Sequence, residues 1–373
     1  MSQESVLVVG STAFDDLAMP QGLGAVLAVV LLLGPGACKP EGPAPDVVAS
    51  GRAPGAGGGP TPDASGGRGA TSLATGVFSP RALALGPTTV YWTTSQVRQH
   101  GAPVGDASAA TGGIESAPRT GGPVTEIVAG LSSPFEVALS GSTLFFSQGG
   151  PGAATVESFL LGRTILTNVA TGETPPIPLF VESGILYWAS GSGGTLLVQS
   201  APTAGGAKST VGSQSDDAGD GSPVAMVADS ASLYVLSATS GGAASILAFP
   251  FAGGAAKSLW HANGANPSDL AVLGTTLYWI VDDSSTGGEI LSMPITGGTS
   301  TTLASNLASP AKLAVTGTSL YFTEGVASGA VLSVSTGGGT VTTLASGLDY
   351  PYAIAVDDAV YFTTATTVGR VPK

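Results

Sequence analysis

The sequence predicts an all-β fold built from seven repeats, and three features of its 373 residues lead there. An aromatic pair recurs as Tyr91-Trp92, Phe145-Phe146, Tyr187-Trp188, Tyr234-Val235, Tyr278-Trp279, Tyr321-Phe322 and Tyr361-Phe362, with Val235 replacing the second ring in one copy. A proline stands ahead of each pair, at Pro80, Pro134, Pro176, Pro223, Pro267, Pro310 and Pro351, at a distance of 11 residues in six copies and 10 in the last. A glycine turn follows the pair at Gly162, Gly205, Gly253, Gly297 and Gly337, and at Gly121 in the first copy, where a loop is inserted. The period of 41 to 54 residues is that of a repeat architecture.

Each copy contains four short β-like runs. In the fifth they are 268–273, 276–281, 289–295 and 300–305, separated by Gly, Asp, Ser and Thr, which favour tight reversals. No stretch of the repeat has helical periodicity. Four strands per 40 to 50 residues mark a propeller blade, so the expected architecture is a seven-bladed β-propeller of four-stranded antiparallel blades over residues 70–373.

The first strand of a blade alternates in size. Leu83 and Leu85, Leu270 and Val272, Leu313 and Val315, and Ile354 and Val356 flank Ala84, Ala271, Ala314 and Ala355. Successive strand residues point to opposite faces, so one face presents bulk and the other alanine, which lets neighbouring sheets stack. The third copy departs with Phe180 at the alanine position, and its packing is expected to differ locally. The last copy ends after its third strand, while ATSLATGVFSP (70–80) matches STTLASNLASP (300–310). The run 70–75 is therefore expected to supply the missing fourth strand of the last blade and close the ring.

Composition fits this reading. The chain holds 56 Gly and 26 Pro, yet 43% of its residues are hydrophobic, too many for a disordered polypeptide. A net charge of −13 argues against nucleic acid, which needs a basic footprint. One Cys excludes a disulfide framework and two His exclude most zinc sites.

Residues 1–38 read as a leader. The apolar run 22–34 is too short for a membrane-spanning helix and suits the core of a secretory signal. Gly36-Ala37-Cys38 resembles a bacterial lipobox, which implies lipidation at Cys38; the alternative is an ordinary signal with an incidental cysteine. No basic residue precedes the apolar run, and the stretch 6–20 resembles the opening strand of a ribokinase-type sugar kinase that nothing downstream continues. A mis-assigned start, with Met19 as another choice, accounts for both. Residues 39–69, rich in Gly and Pro, read as a flexible tether.

Over residues 70–373 the pattern resembles the YWTD-type and NHL-type propeller families, through a P-x-x-[LI]-A-V strand followed by [LV]-Y-[WF]. Tyr91-Trp92-Thr93 matches part of the YWTD signature but continues with Thr94 in place of Asp. The resemblance implies protein or peptide binding on one face, with catalysis in a minority of members.

A search for G-x-S-x-G, Walker, H-E-x-x-H and G-x-G-x-x-G signatures finds none. His100 and His261 fall in different copies, and Asp216, Asp217 and Asp220 form a loop cluster that reads as solvated, with Ca²⁺ ligation as the alternative. In a propeller the residues just past each proline surround the central channel. Arg81, Phe135, Glu136, Asp269, Lys312 and Tyr352 are thus the ligand-binding candidates, with mutual charge pairing that merely plugs the channel as the competing reading.

The expectation is a non-enzymatic binding scaffold outside the cytoplasm, without cofactor, monomeric and held to a membrane by a lipid anchor. Its ligand is an unidentified protein, peptide or glycan. The alternatives are a lyase- or lactonase-type enzyme using Glu136 and Asp269 at the channel mouth, and a structural envelope protein.

Overall fold

A computed structural model describes Val6–Leu7 and residues 69–95, 112–149, 154–174, 178–192, 194–215, 221–239, 241–283 and 287–373. Among these residues there is no helix, and seven antiparallel sheets follow one another along the chain. The protein is a seven-bladed β-propeller. Blades one to six span 80–131, 137–173, 179–215, 222–263, 266–307 and 310–348. Within each, four strands pair with their sequence neighbours, innermost first. Val6–Leu7 adds a short pairing to the innermost strand of blade two.

Blade seven is composite. Ile354–Val356, Val360–Thr363 and Thr367–Val371 come from the end of the chain, and Thr71–Thr75 completes the sheet. The register runs from Thr71 opposite Arg370 to Thr75 opposite Thr367, so the expected closure by the N-terminal run is present. Arg119 strengthens the same seam from blade one. Its Nη1 lies 2.6 Å from Asp357 Oδ2, and its guanidinium stands 5.4 Å from the centre of the Tyr361 ring.

The hydrophobic core divides into seven clusters, one at each contact between adjacent blades. Blade five shows how the strand alternation produces this. Leu270 and Val272 pack toward blade four with Leu236 and Ile246, whereas Ala271 packs toward blade six beneath Leu313 and Val315. The aromatic pair divides the same way, with Trp279 in the first cluster and Tyr278 in the second. One pair of adjacent rings therefore glues two interfaces, because neighbours along a strand face opposite ways.

The repeated proline also has a packing reason. A side chain added at Gly112, Gly288 or Gly329 would collide with Pro134, Pro310 or Pro351 of the following blade. Each of these prolines lies against a backbone slot that only glycine leaves open.

Two departures from the repeat meet in space. Phe180 stands where five other copies carry alanine and the fourth carries Val227, and Val235 stands where others carry a second ring. Both belong to the cluster between blades three and four. A larger residue on one blade and a smaller one on the next thus enter the same cluster, an exchange that suits close interior packing.

The buried indoles are less uniform. Trp92 and Trp188 donate their Nε1–H groups to Glu115 (3.0 Å) and Gln199 (3.2 Å), which sit directly across the sheet from them. Across from Trp279 lies Leu291, and the Trp279 Nε1 has no hydrogen-bond partner among the described residues.

Candidate functional site

The chain enters every blade from the same face of the ring, called the front face below. Just past the prolines of blades one, two and four to seven the ladder is irregular. Phe135 N donates to Ser147 O (2.9 Å) while Ser147 N donates to Glu136 O (3.2 Å), so two residues of the inner strand oppose one of the next. Tyr352 and Ala353 oppose Thr363 in the same way. Such a bulge re-aims side chains, and here it directs the second residue after the proline to the channel.

The approach to the bulge is strained. Ser79, Ser133, Ser309 and Tyr350 each precede a proline, yet adopt φ between +44° and +53°. A residue before proline is ordinarily extended, and positive φ in a bulky residue such as Tyr350 is an outlier.

Buried hydroxyls hold this irregular backbone. Thr93 Oγ1 accepts from Ala82 N (3.2 Å) and donates to Phe135 O of the next blade (2.9 Å). Thr323 repeats the arrangement between Lys312 N (3.2 Å) and Tyr352 O (2.7 Å). Ser147 and Thr363 accept from Glu136 N (3.3 Å) and Ala353 N (3.0 Å). In blade five the position is Ile280, and Ser268 Oγ reaches Pro310 O instead (3.0 Å). These positioning residues escaped the sequence reading, although the signal was present: Thr or Ser follows the aromatic pair in copies one, two, six and seven.

The channel mouth is a small cavity of about 50 Å³ to which all seven blades contribute. Arg81, Glu136, Asp269 and Lys312 line it, in an otherwise apolar wall that includes Pro178, Val224, Ala225 and Ala353. Phe135 and Tyr352 are displaced outward. Arg81 stands 5.7 Å from the centre of the Phe135 ring, Lys312 Nζ lies 5.8 Å from that of Tyr352, and Tyr352 is 45% exposed. Of the other candidates, Cys38, His100, Asp216, Asp217 and Asp220 lie outside the described residues. His261 is on the exposed outer strand of blade four beside Ser245.

The four charges are unequally engaged. Lys312 Nζ is 3.6 Å from Asp269 Oδ1, and Asp269 Oδ2 accepts from Leu313 N at 2.8 Å. Burial by itself would lower the Lys312 pKa, but the carboxylates of Asp269 and then Glu136 more than reverse this, so the ammonium persists. Burial pushes the Asp269 carboxyl up, against the opposing pull of Lys312 and backbone N–H groups. Glu136 is pushed up chiefly by burial, which outweighs the pull of Lys312; the nearby Asp269 charge pushes the same way. The Glu136 carboxylate and the Arg81 guanidinium have no hydrogen bond or ion pair among the described residues.

No protein-family description matches the chain, and no curated protein does. Many solved structures share its architecture at low identity. One of two prolyl endopeptidases aligns over 80% of this chain and 50% of its own, with a TM-score of 0.55 and 11% identity, so the chain spans about half of that protein's length. A putative 6-phosphogluconolactonase from Bacteroides uniformis aligns over 73% of this chain and 86% of its own, with a TM-score of 0.52 and 15% identity. A chain of a nidogen/laminin complex aligns over 58% of this chain and 76% of its own, with a TM-score of 0.44 and 21% identity. At these identities the likeness is one of fold.

Proposed function

We propose that the protein is a non-enzymatic binding propeller acting outside the cytoplasm, and that a protein partner docks on its front face. The observation that carries this reading is the set of exposed rings there. Tyr350 and Tyr352 are 55% and 45% exposed and Phe78 38%, at the entrances to blades seven and one, with half-buried Phe135 at the next. Tyrosine and arginine beside an apolar centre are the residues that dominate binding energy at protein interfaces. Tyr350 also holds a left-handed backbone before proline, strain of a kind that collects at functional positions.

Asp269 is occupied by Lys312 and a backbone N–H, which leaves Glu136 without a free carboxylate to share acid–base work. This supports binding over a lyase or lactonase reaction. The apolar run 22–34 followed by Cys38 supports an envelope location and a lipid anchor.

The test is affinity capture from the native envelope fraction, comparing wild type with a Tyr350→Ala/Tyr352→Ala double variant and with Ile165→Ala on the opposite face. The expected result is a partner lost at least tenfold in the tyrosine variant and retained in the Ile165 variant. Equal capture by all three overturns the reading.

A further inference from the structure

The mouth has a charge complement that the docking rings do not explain. Asp269 and Lys312 answer one another. Arg81 and Glu136 line the same cavity on neighbouring blades without a hydrogen bond or ion pair among the described residues; Arg81 is exposed, and half-buried Glu136 feels the Lys312 charge. A pair of opposite charges that merely plugged the channel would close to within an ion-pair distance, as Asp269 and Lys312 do. Instead the Arg81 guanidinium is held over the Phe135 ring, next in sequence to Glu136. A planar guanidinium can take a carboxylate in a two-pronged hydrogen bond.

Size narrows the ligand. One water needs about 10–15 Å³ by the measure in which the cavity holds about 50 Å³. The space therefore admits a head group of a few atoms and not a whole substrate. An α-amino acid carries its ammonium and carboxylate on one carbon, so a single small head can meet both open charges while its side chain stays outside. Arg81 is exposed at the rim and Glu136 is half-buried below it, so a head that carries both charges can meet Arg81 from outside while its ammonium enters toward Glu136.

We propose that the channel mouth between blades one and two binds the zwitterionic head of an α-amino acid, its carboxylate on Arg81 and its ammonium on Glu136. This rests on the front face being the binding face, and it adds a small-molecule ligand to the protein partner.

The test is thermal unfolding of the purified protein with glycine, L-alanine, ethylamine, propionate and the dipeptide Ala-Ala. The expected result is a midpoint raised by about 5 °C at a hundredfold excess of alanine over its Kd. Ethylamine and propionate give no shift. Arg81→Gln and Glu136→Gln each abolish the alanine shift, while Arg163→Gln on the opposite face preserves it. Absence of a shift with any amino acid at about 10 mM, retention of the shift in both mouth variants, or a response confined to the dipeptide overturns the proposal. The Tyr350→Ala/Tyr352→Ala variant separates the two readings. Partner capture lost with the alanine shift intact upholds both sites, and a partner that binds without the tyrosines defeats only the docking face.

Discussion

Glu136 is half-buried at the channel mouth without a hydrogen bond or ion pair among the described residues, and its ionised form therefore carries a penalty that the repeat does not require. Its carboxyl is held above the ordinary range mainly by desolvation, so the folded protein binds that proton more tightly than the unfolded chain does. The associated stability is complete below the unfolded pKa and is lost as pH rises through the folded one. At neutral pH, Glu136→Gln is expected to raise the ligand-free thermal midpoint by about 2 °C, for a gain on the order of 1 kcal/mol. The difference between variant and wild type should fade as pH falls below the carboxylate range. A lower midpoint for the variant at pH 7 would mean that the Lys312 attraction outweighs burial. That Glu136 reaches the mouth was readable from its place after Pro134. Its lack of a partner was not, because pairing depends on which blades bring their charges within reach.

Among the elements, the contact between blades three and four departs most from the repeat. Phe180→Ala would leave a cavity and should cost about 3–5 kcal/mol. Val235→Trp alone would overpack the same cluster, by roughly 1–3 kcal/mol. Because both residues belong to one cluster, the double variant should recover part of the loss, and the coupling energy of a denaturant-unfolding cycle measures how much. Simple addition of the two penalties would show that the residues do not share a space. Each departure is visible in the sequence as a break in its own column. That the two enter one cluster is visible only when the fold brings residue 180 and residue 235, in different repeats, to the same blade contact.

For the whole molecule, closure is the decisive contact. Thr71–Thr75 covers the outer edge of blade seven, and the next seam, to blade one, holds Leu73, Leu83, Trp92 and Tyr361 in one cluster. Removing residues 1–75 should expose that edge, lower the thermal midpoint by several degrees and promote association, since an open strand edge invites pairing. Unchanged unfolding and a monodisperse truncated protein would show that the ring does not depend on this strand. Charge is also distributed at this scale. Asp282, Glu289, Glu324 and Asp349 join Glu136 and Asp269 at strand ends of the front face, where Arg81 and Lys312 are the cations among the described residues. Arg119, Arg163, Lys208, Lys257 and Lys373 lie toward the other face. Among the described residues the front-face strand ends thus carry more acids than bases, and complementary charge on a partner would assist its approach.

The sequence by itself determined the blade number, the strand count, the alternation that stacks sheets and the strand that closes the ring. These follow from local pattern, because a side chain's face is set by its parity along a strand and a repeat imposes that parity seven times. The tertiary structure alone decided three things: the hydroxyls that clamp the bulges, the glycine slots that receive the prolines, and the division of four mouth charges into one satisfied pair and two open groups. Each involves contacts between blades, such as Thr93 with Phe135 or Gly288 with Pro310, and the distances between blades follow from how the ring closes.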